Sequence, residues 1–178
     1  MLQQRFPEAF VNQLKNILIN ERIETIEDVA FSNSMGKKLL YPTNDLLLYE
    51  HQFSTLVSCL DSSENLYIFQ VSDNGKWDDQ HDLFQISAPF SYSEYHSLYF
   101  YNPTVMFSDS FSWAMVIDES LEGGIGILAG NFEFIRRYEE RVPCSDKDLI
   151  KCVQFYLMDA EKRNTGYQHL KNILSKLI

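Results

Sequence analysis

No stretch of the 178-residue chain approaches the ~20 consecutive apolar residues that a membrane-spanning helix needs, which argues against an integral helical membrane protein. The start, Met1-Leu2-Gln3-Gln4-Arg5-Phe6-Pro7-Glu8, lacks a basic segment followed by a long apolar one. No secretory signal peptide is therefore expected, and the location expected is cytoplasmic. Seven Gly and five Pro are too few for collagen-like, linker-like or low-complexity structure. The three cysteines, Cys59, Cys144 and Cys152, form neither the even set of a disulfide framework nor the close pairs of a zinc site. They are expected to be buried, reduced thiols acting as small hydrophobes.

Cations are missing from the middle of the chain. Residues 45–135 contain one of them, Lys76, against fourteen Asp and Glu, a balance of -13. Residues 1–44 are neutral in sum, residues 136–178 carry +3, and the total is -10. Acidic surface often serves solubility alone, but a long segment with a single cation repels itself without nearby neutralisation. Such a field excludes nucleic acid phosphates and anionic lipid, and it speeds encounter with a basic protein.

What the chain has in quantity is apolar and aromatic residues, 45% and 14% of the total, enough for a packed core. Phe6, Phe10, Leu14, Ile17 and Leu18 recur at the helical period, with Pro7 suited to the first turn. Ile23, Ile26, Val29 and Ala30 suggest a second short helix between Arg22 and Phe31. From Asp45 the period shortens. Leu46–Tyr49 is expected as a buried strand, and Gln52–Leu60 as a helix with a strand nearly as well supported. Leu66–Val71 is expected as a strand ending at Asp73-Asn74-Gly75, where Asn-Gly is a strong hairpin signal. A returning strand is then expected near Trp77, with others at Leu83–Ile86, Leu98–Tyr101, Trp113–Ile117 and Ile125–Ala129. Asn131 can cap a helix bearing Phe132, Phe134, Ile135 and Tyr138. Further helices are expected from Ser145 to Met158 and from Tyr167 to Leu177. Together these predict one α+β domain over 1–178, a mainly antiparallel sheet flanked by N- and C-terminal helices.

Catalytic and metal motifs are weak. Asp78-Asp79-Gln80-His81-Asp82 gathers oxygen and nitrogen donors, but a calcium loop starting at Asp73 would place Gly75, Trp77 and Phe84 at ligand positions. His51, His81, His96 and His169 fall on separate elements, and no serine occupies a nucleophile elbow. Gly123-Gly124-Ile125-Gly126 lacks the Lys and Ser/Thr of a phosphate loop, and Asp118, Glu119 and Glu122 beside it repel phosphate. No catalytic residue, metal or cofactor is expected.

Ser91-Tyr92-Ser93-Glu94-Tyr95-His96 sets tyrosine beside carboxylate, a pairing suited to a protein interface. Tyr101-Asn102-Pro103, Trp113–Glu119, Glu122–Gly126 and Phe132–Ile135 together resemble the pattern of bacterial toxin immunity proteins of the contact-dependent inhibition type. In that family a Trp-led strand and a Gly-rich strand lead into a Phe-Ile helix. The resemblance implies a non-enzymatic inhibitor of a cognate toxin, often a basic nuclease. Its direction agrees with the charge count, which is independent of it. The expected function is therefore neutralisation of a basic protein toxin through an acidic face, with no nucleic acid or membrane as partner. Expected contacts are Asp73, Asp78, Asp79, Asp82, Glu94, Asp109, Asp118, Glu119 and Glu122, with Tyr92 and Tyr95 as anchors. An acidic secretion chaperone or nucleic-acid mimic is the alternative, and a small hydrolase using His81 and Asp79 the third.

Overall fold

Three consecutive strands without a single exposed residue, Thr104–Ser108, Trp113–Asp118 and Ile125–Gly130, set the architecture. Strands buried on both faces read as continuous apolar runs, and they need covering layers on both sides. A computed structural model describes residues 2–4, 7–40, 43–78, 83–119 and 124–142. The chain divides into two compact units, Met1–Arg141 and Val142–Ile178, and the first is described below. The helices expected after Ser145 lie outside the described residues, as do Cys144 and Cys152.

The strands are β1 (Leu2–Gln4), β2 (Gly36–Leu40), β3 (Asn65–Gln70), β4 (Leu83–Ser87), β5 (Thr104–Ser108), β6 (Trp113–Asp118) and β7 (Ile125–Gly130). They form one antiparallel sheet in the order β1-β4-β3-β5-β6-β7-β2. The helices are α1 (Glu8–Leu14), α2 (Glu50–Ser58), α3 (Tyr92–His96) and α4 (Phe132–Arg141), with a 3-10 turn at Ile26–Asp28. The protein is α+β, as expected, with helices on both sides of the expected antiparallel sheet.

The period-two rule assigns the two faces. Trp113, Met115 and Leu128 share one face, where Trp113 stacks on Phe134 of α4 with ring centroids 5.2 Å apart. Helix α4 rests on β2 and β7, and α2 touches both α3 and α4. Gly36 and Gly130 permit this approach, since a Cβ at Gly130 would come within 2.8 Å of the Phe134 ring. The opposite face carries Tyr67 and Phe107, against which Phe10 of α1 packs edge-on at 5.0 and 5.9 Å. The 3-10 turn lies over β6 and β7. As expected, Asn131 caps α4, its Oδ1 accepting from Phe134 N–H at 2.8 Å.

Several local expectations are corrected. Arg22–Phe31 makes one 3-10 turn instead of a longer helix, because a carboxylate within the segment and two distant acceptors take its amides. The Asp28 carboxylate accepts from Glu24 and Thr25 N–H, the Asp118 carboxylate from Ile26 N–H, and the Gly75 carbonyl from Ile23 N–H. Leu46–Tyr49 is no strand: the chain turns at Asp45-Leu46, Leu47 bridges back to Asn44, and Leu48 N–H is held by a tyrosine hydroxyl. Among the described residues no strand returns near Trp77. Asn74-Gly75 does turn the chain, with Gly75 at φ +78°, and the described strand that follows it and pairs with β3 is β4, from Leu83. Leu98–Tyr101 is irregular, and the strand in that region is β5. Gln52–Leu60 is helical, and α1 is shorter than the stripe that predicts it, with Pro7 preceding its first turn.

Candidate functional site: the acidic end of the sheet

The register places four connections at one end of the sheet, where Gln70, Thr104, Ile117, Gly126 and Leu40 stand side by side. These are the turns after β2 and β3, the segment entering β5 and the β6–β7 connection. The loop before the 3-10 turn joins them, since Arg22 bridges to Lys76 and Trp77 Nε1 donates to the Asn20 carbonyl at 2.6 Å.

Acidic residues gather at this end. Asp45, Asp73 and Glu119 are exposed, and Glu21, Glu24 and Asp28 line an open groove of about 560 Å³ with Ile19, Asn20 and Arg22. Asp73 is held by its own turn: Gly75 N–H donates to the Ser72 carbonyl, and Asn74 Oδ1 accepts from Lys76 N–H at 2.9 Å. Its Oδ1 accepts from Asn102 Nδ2 at 2.8 Å, tying the turn after β3 to the segment entering β5. Asp45 sits at φ +53°, a left-handed conformation that Asp and Asn tolerate better than most residues.

Exposed aromatic surface coincides with this charge. Among the described residues the exposed large hydrophobics are Ile19, Tyr49, Tyr99, Tyr101 and Phe132. Ile19 lines the groove, Tyr101 N–H reaches Gln70 and Tyr99 meets Tyr101, so these three belong to the acidic end.

The sequence-predicted contacts divide into three groups. Asp73 and Glu119 are exposed at the acidic end, and Asp78 is there in an ion pair with Lys15 Nζ at 3.0 Å. Asp79, Asp82 and Glu122 lie outside the described residues, as does His81. The others are tied into the fold. Asp118 is 5% exposed and accepts from Ile26 N–H at 2.8 Å, so it holds the 3-10 turn against the sheet. Asp109 is at the opposite end, where its two oxygens accept from Asn65 N–H and Nδ2 at 3.1 and 2.9 Å. Glu94 is half-buried in the first turn of α3.

Tyr95 corrects the expectation most plainly. It is fully buried, stacked on Phe53 at 4.5 Å, and its hydroxyl accepts from Leu48 N–H at 2.6 Å. Burial holds that hydroxyl far above the usual phenol range, outweighing the bond to Leu48. Tyr95 is a core residue and no surface anchor. Tyr92 is half-buried and donates to the Leu48 carbonyl at 3.3 Å; desolvation, then the charge of Glu50, raises its pKa. Tyr95→Phe should cost about 1–3 kcal/mol of stability, because Leu48 N–H loses its acceptor in a dry site. Urea melts would show this, and a shift below 0.5 kcal/mol (~ by the usual error of surface changes) would mean that water replaces the hydroxyl.

Three features of this end were missed in the sequence. Tyr99 and Tyr101 alternate with buried Leu98 and Phe100, a period-two signal that separates them from the core. The acidity of the 19–28 loop is masked in the neutral balance of residues 1–44, where Lys15, Lys37 and Lys38 offset its carboxylates. Asp45 directly precedes the Leu46–Tyr49 run that the sequence predicts as a buried strand, and nothing local marks its carboxylate as exposed.

No group of three His, Cys, Asp or Glu side chains converges as a metal site among the described residues. Cys59 is a buried, free thiol whose pKa is raised, chiefly by desolvation. No described helix is long and apolar enough to cross a membrane. Set against protein-family models, curated proteins and solved structures, the chain matches none of them.

Proposed function

We propose that the protein is a non-enzymatic inhibitor of the immunity type, which covers a basic toxin domain with the acidic end of its sheet. The observation that carries this is the coincidence, at one end, of exposed carboxylates with exposed Tyr99, Tyr101 and Ile19. Carboxylates alone serve solubility. Carboxylates interleaved with exposed tyrosine supply what an interface needs, ring area for burial and charge for steering. The resemblance of the 101–135 segments to immunity proteins points the same way. The inhibitor acts in the cytoplasm of the cell it protects, and nucleic acid is excluded from the face by like charge.

Growth rescue tests this directly. The C-terminal domain encoded by the reading frame immediately upstream should arrest growth when expressed alone, and co-expression of the full 178-residue chain should restore it. A purified complex of the two should elute as one species. A complex that forms while growth remains arrested would identify an acidic chaperone instead. Absence of both complex and rescue would remove the proposal.

A further inference from the structure

We infer that Tyr99 and Tyr101 form an arginine anchor, a preformed seat for a guanidinium that a basic partner protein presents to the acidic end. This rests on the function proposed above and names the chemistry its central contact takes. The two side chains are 76% and 70% exposed, yet they meet edge to face with centroids 4.8 Å apart and planes at 86°. Exposed tyrosines are ordinarily free to rotate away from one another. Here the backbone beneath them is held on both sides.

On one side His96 Nε2 lies 3.3 Å from Asn44 Nδ2, and the Thr104 hydroxyl donates to the Leu46 carbonyl at 2.8 Å. On the other, Tyr101 N–H donates to Gln70 Oε1 at 3.2 Å and Asn102 Nδ2 donates to Asp73 Oδ1. Below, Leu98 and Phe100 are buried, Phe100 meeting Phe84 edge-on at 5.9 Å. Little ordering is left for binding to impose.

The chemistry selects the occupant. A π-face attracts a cation, and the adjacent Asp73 carboxylate adds charge from a fixed position. A planar guanidinium satisfies both at once, stacking on a ring while donating in its plane, whereas an ammonium is a hydrated point charge. Nucleobases would also stack on tyrosine, but their phosphates meet Asp45, Asp73 and Glu119, and two of the cations described at this end sit among carboxylates, Arg22 beside Glu21 and Glu24 in the groove and Lys15 paired with Asp78.

A titration followed by NMR decides the matter, using the full chain at low salt. The probes are a blocked hexapeptide of alternating arginine and glycine and its lysine counterpart. Ring resonances of Tyr99 and Tyr101 and the Asn102 side-chain amide should shift saturably with the arginine peptide. The lysine peptide should bind at least about threefold more weakly. The double variant Tyr99→Ala/Tyr101→Ala, both sites being exposed, should keep its folded amide spectrum and lose about tenfold in affinity. Equal affinity for the two peptides would overturn the arginine assignment. Arginine-peptide binding that the double variant retains would overturn the anchor and leave the acidic docking end standing. No saturable binding of either peptide to the wild type would overturn both.

Discussion

Trp113→Ala should cost the fold about 3–5 kcal/mol, a large part of the ~5–15 kcal/mol that stabilises a typical domain. Trp113 opens β6, is fully buried and stacks within 16° of parallel on Phe134. That contact fastens α4 to the sheet at the point where Gly130 lets the helix come close. Alanine would leave a void that Phe134 cannot fill without moving the helix. Trp113→Phe is the informative control. The indole Nε1 is buried without a hydrogen-bond partner among the described residues, so phenylalanine removes an unsatisfied donor while giving up part of the ring. Those effects oppose each other, and the net cost should stay below about 1.5 kcal/mol. Urea unfolding with an unchanged m-value would read both numbers. A loss below about 1 kcal/mol for the alanine variant would mean that the Trp113–Phe134 layer is not closed.

Removing charge from the acidic end should slow association with the basic toxin domain proposed as its partner by about 10- to 100-fold at 0.1 M salt, with far less change in dissociation. The triple variant Asp45→Asn, Asp73→Asn, Glu119→Lys targets exposed carboxylates, keeps an Oδ1 acceptor for Asn102 at 73, and avoids Asp118, whose loss would release the 3-10 turn. Asparagine is chosen at 45 because it too accepts positive φ. Asp78 is left alone, since reversing it would place two cations together at Lys15. For the wild type, k_on should fall steeply as the Debye length shrinks from ~10 Å at 0.1 M to ~3 Å at 1 M salt. Surface plasmon measurements on captured toxin domain separate the two rates. A triple variant that binds as fast as the wild type, with k_on flat in salt, would show that these carboxylates serve solubility alone.

The sequence was most legible where side chains repeat with one period and bury with one purpose. Leu66–Val71, Trp113–Ile117 and Ile125–Ala129 became β3, β6 and β7, and Asn131 capped α4, because in each the local preference and the tertiary environment agree. It was least legible where distant groups complete the backbone's hydrogen bonds. Asp118 is 92 residues from the amide it accepts from, and Tyr95 is 47 residues from Leu48. No window of sequence carries that information. The acidic centre was visible as charge, but charge does not say which carboxylates face water. Asp109 and Asp118 serve the fold, whereas Asp73 and Glu119 remain at the surface. Tyr95 and Tyr99 are four residues apart in the same aromatic run, and burial alone assigns one to the core and the other to the surface.

The three fully buried strands have an evolutionary consequence. β5, β6 and β7 expose no residue, so hardly any substitution there can change what the molecule touches without changing whether it folds. Selection for a new partner is left with the connections. At the acidic end those connections are fastened through backbone groups and through a few side chains, chiefly Asn74, Asn102 and Thr104, while positions 45, 99, 101 and 119 point outward. A lineage pursued by a changing adversary could rewrite those four positions repeatedly and inherit the same sheet each time.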